Sequence, residues 1–344
     1  MLARRAPWRA GLLAVLVLFA AASTSPPAVA SPSSAAPSRH YPVTVKSGVR
    51  YGMDGSTPLT VDVYSPPPSA SPRWAVILVH GGGWVHGSPR QLAPEARALA
   101  GAGLVAFAIS YRLATASHPG YPGQIGDVES AVAWVEANGK RFGARGRRVA
   151  LVGGSAGAYL VDMVGVEHPG QVAAVVSFSG PTDLVDLKSD LEGEYHGTCG
   201  QSCLQQRGEG IDTFLGCSEH PCPKSLLQRA SPSTYVNDHS PPFFIVNSTH
   251  ELVPLPQATR FATQLRAVHV PVTLEVFPGS VHGFDNAARV RRTLYQFLVS
   301  NLRLANRPSH FPYKVVAAAV AAFVVFLVVV ALGVRAWRRR MRIL

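Results

Sequence analysis

Val149-Ala150-Leu151-Val152-Gly153-Gly154-Ser155-Ala156-Gly157 reads as a buried strand, a sharp turn and the first turn of a helix. The turn is a G-x-S-x-G sequence. Glycine at 153 and 157 permits the tight reversal and the close strand–helix packing that push the Ser155 hydroxyl outward. The following helix N-terminus favours negative charge developing beside that hydroxyl. Ser155 is therefore the candidate nucleophile. G-x-S-x-G alone arises often by chance, so its weight comes from the strand before it and the helix after it.

Two further segments complete the chemistry. His80-Gly81-Gly82-Gly83-Trp84 follows the apolar run Trp74–Val79. Three glycines let the backbone turn its N–H groups toward a substrate oxygen, so Gly82 and Gly83, with Ala156, are the expected oxyanion donors. His80 is expected to fix this loop by hydrogen bonding, and Trp84 either lines the pocket or packs the loop. Downstream, His282-Gly283 follows the apolar run Thr273–Phe277 by a short loop. That position lets His282 reach Ser155 and act in turn as base and acid.

The intervening pattern alternates strands and helices. Strands are expected at Val43–Val49, Leu59–Tyr64, Trp74–Val79, Val105–Ile109, Val149–Val152, Val172–Ser179, Phe243–Val246 and Thr273–Phe277. Helices are expected at Pro89–Ala102, Gly126–Asn138, from Ala156, and at Pro256–Val268 and Asn286–Asn301. This rhythm implies an α/β fold, a mostly parallel central sheet with helices on both faces. The candidate residues fall just after predicted strands, where such sheets carry their sites.

With these motifs in this order, roughly Tyr51 to Leu302 resembles the bacterial carboxylesterase and lipase branch of the α/β-hydrolases that carries an HGGG[FW] loop. It is similar to hormone-sensitive-lipase-like and feruloyl-esterase-like members, also through Tyr111-Arg112-Leu113 and the Pro241–Pro254 stretch. The resemblance implies a serine ester hydrolase working through an acyl-enzyme, with no cofactor and no metal. A peptidase or amidase on the same scaffold, or a binding protein with an impaired triad, are the alternatives.

The chain departs from that family at the triad acid. Relatives usually carry Asp two residues before a Leu-Val-Pro-like triplet; here Ser248-Thr249-His250-Glu251-Leu252-Val253-Pro254 puts His250 there. Histidine supplies no carboxylate to orient His282. Glu251, one residue on, has the right chemistry and a longer reach. Asp183, after Val172–Ser179, is the second candidate; a missing acid is the third. Asp127 reads as a helix-start or loop-anchoring carboxylate.

The ends are targeting elements rather than fold. Arg4, Arg5 and Arg9 precede an apolar run from Gly11 to Ala22, and Ala28-Val29-Ala30 fits a cleavage site, so 1–30 reads as a signal peptide. Residues 31–40 are a Ser/Pro/Ala-rich lead-in and 41–302 the hydrolase domain. Residues 303–314 read as a stalk, 315–334 as a transmembrane helix and 335–344 as a basic cytoplasmic tail. The expectation is a single-pass cell-membrane protein with its domain outside the cytoplasm. The net charge of +12 follows from this layout: without the leader and residues 314–344, 23 basic residues face 20 acidic ones. That near-balance argues against a nucleic-acid partner. A small-molecule or lipid ester is the expected substrate, and protein partners are left open.

All four cysteines, Cys199, Cys203, Cys217 and Cys222, lie in an insertion spanning about 196–224, between two predicted core strands, that reads as a stapled loop near the mouth of the site. Outside the cytoplasm an even cluster favours disulfides. Of three pairings, the local one, Cys199–Cys203 with Cys217–Cys222, is favoured over a zinc site because the spacings are irregular.

Overall fold

The computed structural model describes residues 40–194, 210–217 and 220–306, and near the C-terminus 323, 329–335 and 337. The leader, Cys199 and Cys203, and most of the expected membrane span lie outside these residues. Among the described residues no helix is long and apolar enough to cross a membrane.

Eight strands form one sheet: β1 Thr44–Asp54, β2 Thr57–Ser65, β3 Trp74–Val79, β4 Val105–Ile109, β5 Arg145–Gly154, β6 Val172–Phe178, β7 Phe243–Ser248 and β8 Val272–Phe277. The order across the sheet is β1-β2-β4-β3-β5-β6-β7-β8. β2 pairs antiparallel with β1 and with β4, and every other pairing is parallel. Among the described residues of the domain the helices are α1 Ala93–Gly101, α2 Gly123–Asn138, α3 Ala156–Glu167, α4 Leu187–Glu194, α5 Lys224–Arg229, α6 Leu255–Ala267 and α7 Ala287–Ala305, with a further helical segment at 210–215.

The continuous apolar runs are explained by two cores, one on each face. In β3, Ala75, Ile77 and Val79 join one core while Val76 and Leu78 join the other. In β5, Val149 and Leu151 face the first core, and Ala150 and Val152 the second. A strand covered on both sides alternates between cores rather than between core and water. The first core takes Val128, Val132, Tyr159 and Phe261 from α2, α3 and α6; the second takes Leu99 from α1 and Leu294 and Leu298 from α7. Each such large side chain contributes about 1.5–3 kcal/mol on burial. α7 is amphipathic: Val290, Leu294, Leu298 and Leu302 recur every four residues on the buried side.

Several boundaries differ from the sequence reading. Pro89–Ala102 divides into a 3₁₀ turn, Pro89–Leu92, and α1. β5 starts at Arg145, because its first four residues, Arg-Gly-Arg-Arg, are exposed and carry no apolar signal. α7 runs to Ala305, into the stretch read as a stalk, and α4 and α5 carry too few apolar residues in register to be found.

Candidate active site

Ser155 sits between β5 and α3 with φ 55° and ψ −122°, a backbone conformation rare outside glycine. Holding it costs about 1–3 kcal/mol, and the surroundings fix it. Its N–H donates to Phe178 O at 2.8 Å. A Cβ on Gly153 would run into Gly157 O, and one on Gly157 into the carbonyls of Val79 and His80. The two motif glycines are thus required by close backbone approach.

The loop after β3 lies against this elbow. A Cβ on Gly81 would come within 2.9 Å of Gly154 O. Gly82 and Gly83 have φ 121° and 58°, and their N–H groups have no backbone partner among the described residues. The Ala156 N–H, at the first position of α3, has no intrahelical acceptor either. All three residues, with Ser155, line one cavity.

Buried side chains hold that loop. His80 Nδ1 donates to Gly81 O at 2.8 Å, and the ring stacks on Tyr111 at 4.3 Å. Burial pushes the His80 imidazole down to about 4, only partly opposed by the bond to Gly81, so the ring is neutral near pH 7. The Tyr111 hydroxyl donates to His80 O at 3.0 Å. Trp84 stacks on Phe214 at 4.8 Å, and its carbonyl accepts from Gln124 Nε2 at 2.8 Å. Trp84 both packs the loop and lines the cavity. Asp127 anchors the neighbouring loop: its carboxylate accepts from Arg112 N, Nε and Nη2 at 2.9, 2.8 and 2.7 Å.

Beyond β7, His250 and Glu251 take opposite environments. His250 is exposed, its Nδ1 hydrogen-bonded to Thr249 Oγ1 at 2.8 Å, while Glu251 is buried. Glu251 Oε2 accepts from His282 Nδ1 at 2.5 Å, and Oε1 accepts from Ser248 N at 2.6 Å. His282 Nε2 is buried and has no hydrogen-bond partner among the described residues. Ser155 and His282 line the same cavity, as do Gly82 and Gly83.

Polar contacts that the sequence did not reveal hold the two loops together. Ser248 Oγ donates to Val281 O at 2.6 Å, and Asn286 Nδ2 donates to Val281 O at 2.8 Å. Gly283 N donates to Ser179 Oγ at 2.8 Å. Asp183 is engaged elsewhere: its Oδ1 accepts from Val185 N and Asp186 N, and its Oδ2 from Ser233 Oγ.

Two cavities meet at Ser155, Gly82, Gly83 and Leu252. One, of about 470 Å³, is walled by Trp84, Val85, Leu187, Leu191, Ile211 and Val253 among others. The other, of about 480 Å³, opens past His282 and Phe284. A Cys217–Cys222 disulfide closes the chain just after the 210–215 helical segment that forms part of the first wall. Among the described residues, Glu129, Glu167 and His168 form the one cluster with metal-ligand spacing; none of them lines either cavity.

Sheet order, elbow and glycine loop together define an α/β-hydrolase. The chain belongs to the BD-FAE family, whose model matches residues 61–265. It is similar to the carboxylesterase NlhH of Mycobacterium tuberculosis, 32% identical over 70% of this chain and 75% of NlhH. It is also similar to the esterase LipC of that organism, 31% identical over 72% of this chain and 62% of LipC, and to its esterase LipQ, 28% identical over 77% and 63%. The chain thus spans about three-fifths of the length of LipC and LipQ. The fold is shared with a truncated carbohydrate esterase from gut microbiota (TM-score 0.63, 18% identity, 77% of this chain and 98% of that one). It is shared too with the Pyrobaculum calidifontis esterase (TM-score 0.61, 22% identity, 78% and 88%).

Proposed function

We propose that this protein is a serine carboxylic-ester hydrolase displayed outside the cytoplasmic membrane, with Ser155, His282 and Glu251 as its triad. The observation that carries the reading is the 2.5 Å bond between His282 Nδ1 and buried Glu251. It fixes the proton on Nδ1 and leaves Nε2 as the nitrogen that takes the Ser155 proton. Ser155 Oγ then attacks the ester carbonyl. Negative charge collects on the carbonyl oxygen, within reach of the N–H groups of Gly82, Gly83 and Ala156. His282 passes its proton to the leaving alcohol. Water, deprotonated by His282, attacks the acyl-enzyme and releases the acid.

The largely apolar first cavity favours an ester with an apolar arm of short or medium length, and its volume lies within the range of small-molecule sites, about 300–1,000 Å³. Membrane display is supported by the apolar run 315–334 followed by five arginines. Within it the described residues Phe323, Val329, Val330, Leu332 and Val334 are helical and exposed. The Cys217–Cys222 bond suits an oxidising compartment.

The test is turnover of p-nitrophenyl acetate, butyrate, octanoate and palmitate by the full chain in detergent, beside Ser155→Ala. Hydrolysis that peaks below palmitate and vanishes in the variant supports the reading. Turnover confined to amide substrates, or unchanged in Ser155→Ala, refutes it.

A further inference from the structure

We propose that the end of the domain opposite Ser155 is a docking face for an anionic membrane surface, built from Lys140, Arg141, Arg145, Arg147, Arg148 and Arg303. The inference rests on the membrane-anchored reading above and adds an orientation to it.

β5 runs from Arg145 to Gly154, directly before Ser155. Ten residues at about 3.3 Å each separate its ends by about 30 Å. Arg145, Arg147 and Arg148, at the far end, are all exposed, and the preceding 3₁₀ turn Gly139–Phe142 adds exposed Lys140 and Arg141. The end of α7 is fastened to the same place. Asn306 Oδ1 accepts from the N–H groups of Arg147 and Arg148 at 2.6 and 2.9 Å, and Asn306 Nδ2 donates to Arg148 O at 3.1 Å. These bonds bring exposed Arg303 and Leu304, in the last turn of α7, to this edge. Glu136 is the carboxylate that interacts with Arg147 and Arg148. The edge therefore carries a marked excess of positive charge on a domain whose total is nearly balanced.

Chain length says what this face meets. Eight residues, 307–314, separate Asn306 from the apolar run that begins at Val315. Fully extended they reach about 27 Å. The tether confines this basic edge to within about 27 Å of the lipid, and the docked position is among those it allows. Anionic headgroups attract clustered Lys and Arg at short range, each cation strengthening docking about fivefold. Docking turns the Ser155 mouth away from the bilayer by the length of β5. The ester it meets is then one presented from the external side, not one drawn from the membrane that holds the anchor.

The experiment uses the full chain in vesicles of phosphatidylcholine, alone or with 30 mol% phosphatidylglycerol. A donor fluorophore is placed at Ala137→Cys beside the basic edge or at Ser117→Cys in the exposed loop after β4, with an acceptor on the lipid headgroup. The expected result is stronger transfer from 137 than from 117 in anionic vesicles. That excess should fall to the phosphatidylcholine level in 0.5 M NaCl, and in both the Arg145/Arg147/Arg148→Glu and →Gln triple variants. p-Nitrophenyl butyrate turnover in the variants, unchanged, certifies the fold. Equal transfer in both lipids, or transfer that survives both triple variants, overturns the docking face. Flotation separates this from the anchor. A chain that floats with anionic vesicles only at low salt keeps the docking face and removes the anchor. One that floats with neither lipid overturns both.

Discussion

Glu251→Gln isolates the contact on which the proposed triad turns. The two oxygens of Glu251 face different donors: Oε1 accepts from Ser248 N at 2.6 Å and Oε2 from His282 Nδ1 at 2.5 Å. A glutamine has one oxygen, and the Ser248 N–H, fixed in the backbone, claims it. The amide NH₂ then falls on His282 Nδ1 and turns that nitrogen into the acceptor. The ring proton moves to Nε2, the atom that must receive the Ser155 proton. An amide in place of the acid in this tautomer-setting position costs about 10⁴ in kcat, equivalent to about 5 kcal/mol of transition-state stabilisation. The assay is p-nitrophenyl butyrate hydrolysis by the full chain in detergent at pH 7.5. KM should change little, since Glu251 is buried behind the histidine. Asp183→Asn should leave kcat within a few-fold of wild type, because that carboxylate serves its own turn. A kcat for Glu251→Gln within tenfold of wild type, with Ser155→Ala inactive, would refute the reasoning; so would a large fall confined to Asp183→Asn.

Three further outcomes follow from buried and cross-linked groups. His80 titrates at about 4 when folded against an ordinary 6.5, so the unfolded chain takes the proton first and stability drops as pH falls through this window, by about 3 kcal/mol in all. Urea unfolding of His80→Gln should show a shallower loss between pH 6.5 and 4 than wild type. Asp162 is opposite in sign: burial raises it from 3.8 to about 8, so its folded form is protonated and its contribution fades as pH rises from 4 to 8. Asp162→Asn keeps an acceptor for Ser177 Oγ and should gain a few kcal/mol at pH 8 and nothing of that kind at pH 4, by the same unfolding assay. Cys217→Ser with Cys222→Ser opens a five-residue link, which should lower stability by about 2 kcal/mol. It should also blur the preference among acyl lengths, because the loosened wall carries Ile211 and Thr213.

The sequence was most legible where geometry leaves one solution. Gly153 and Gly157 could be assigned because backbone crowds both sites: a Cβ on Gly153 would meet Gly157 O, and one on Gly157 the carbonyls of Val79 and His80. The core strands were legible as apolar runs because both faces are covered. Glu251 could be named only as one of two carboxylates: a one-residue slip decides which neighbour points inward, and that depends on Thr249 N and His250 N bonding to Phe277 O and Gly279 O across the loops. The supports of the site were invisible for the same reason. Ser248, Ser179 and Asn286 are ordinary polar residues until folding brings them to the His282 loop. The place of the 196–224 insertion near the site mouth was legible, but α4, the helical form of residues 210–215 and the packing partners were not, because those contacts are long-range: Phe214 meets Trp84, 130 positions earlier in the chain.

The most direct test of the account is labelling of the full chain by a p-nitrophenyl alkylphosphonate, read by peptide mass spectrometry. One equivalent of p-nitrophenolate should be released per chain, the phosphonyl group should sit on Ser155, and labelling should slow by orders of magnitude in His282→Ala and in Glu251→Gln. A folded wild-type chain that takes no label, or takes it at another residue, would contradict the claim that Ser155, His282 and Glu251 act as one catalytic unit.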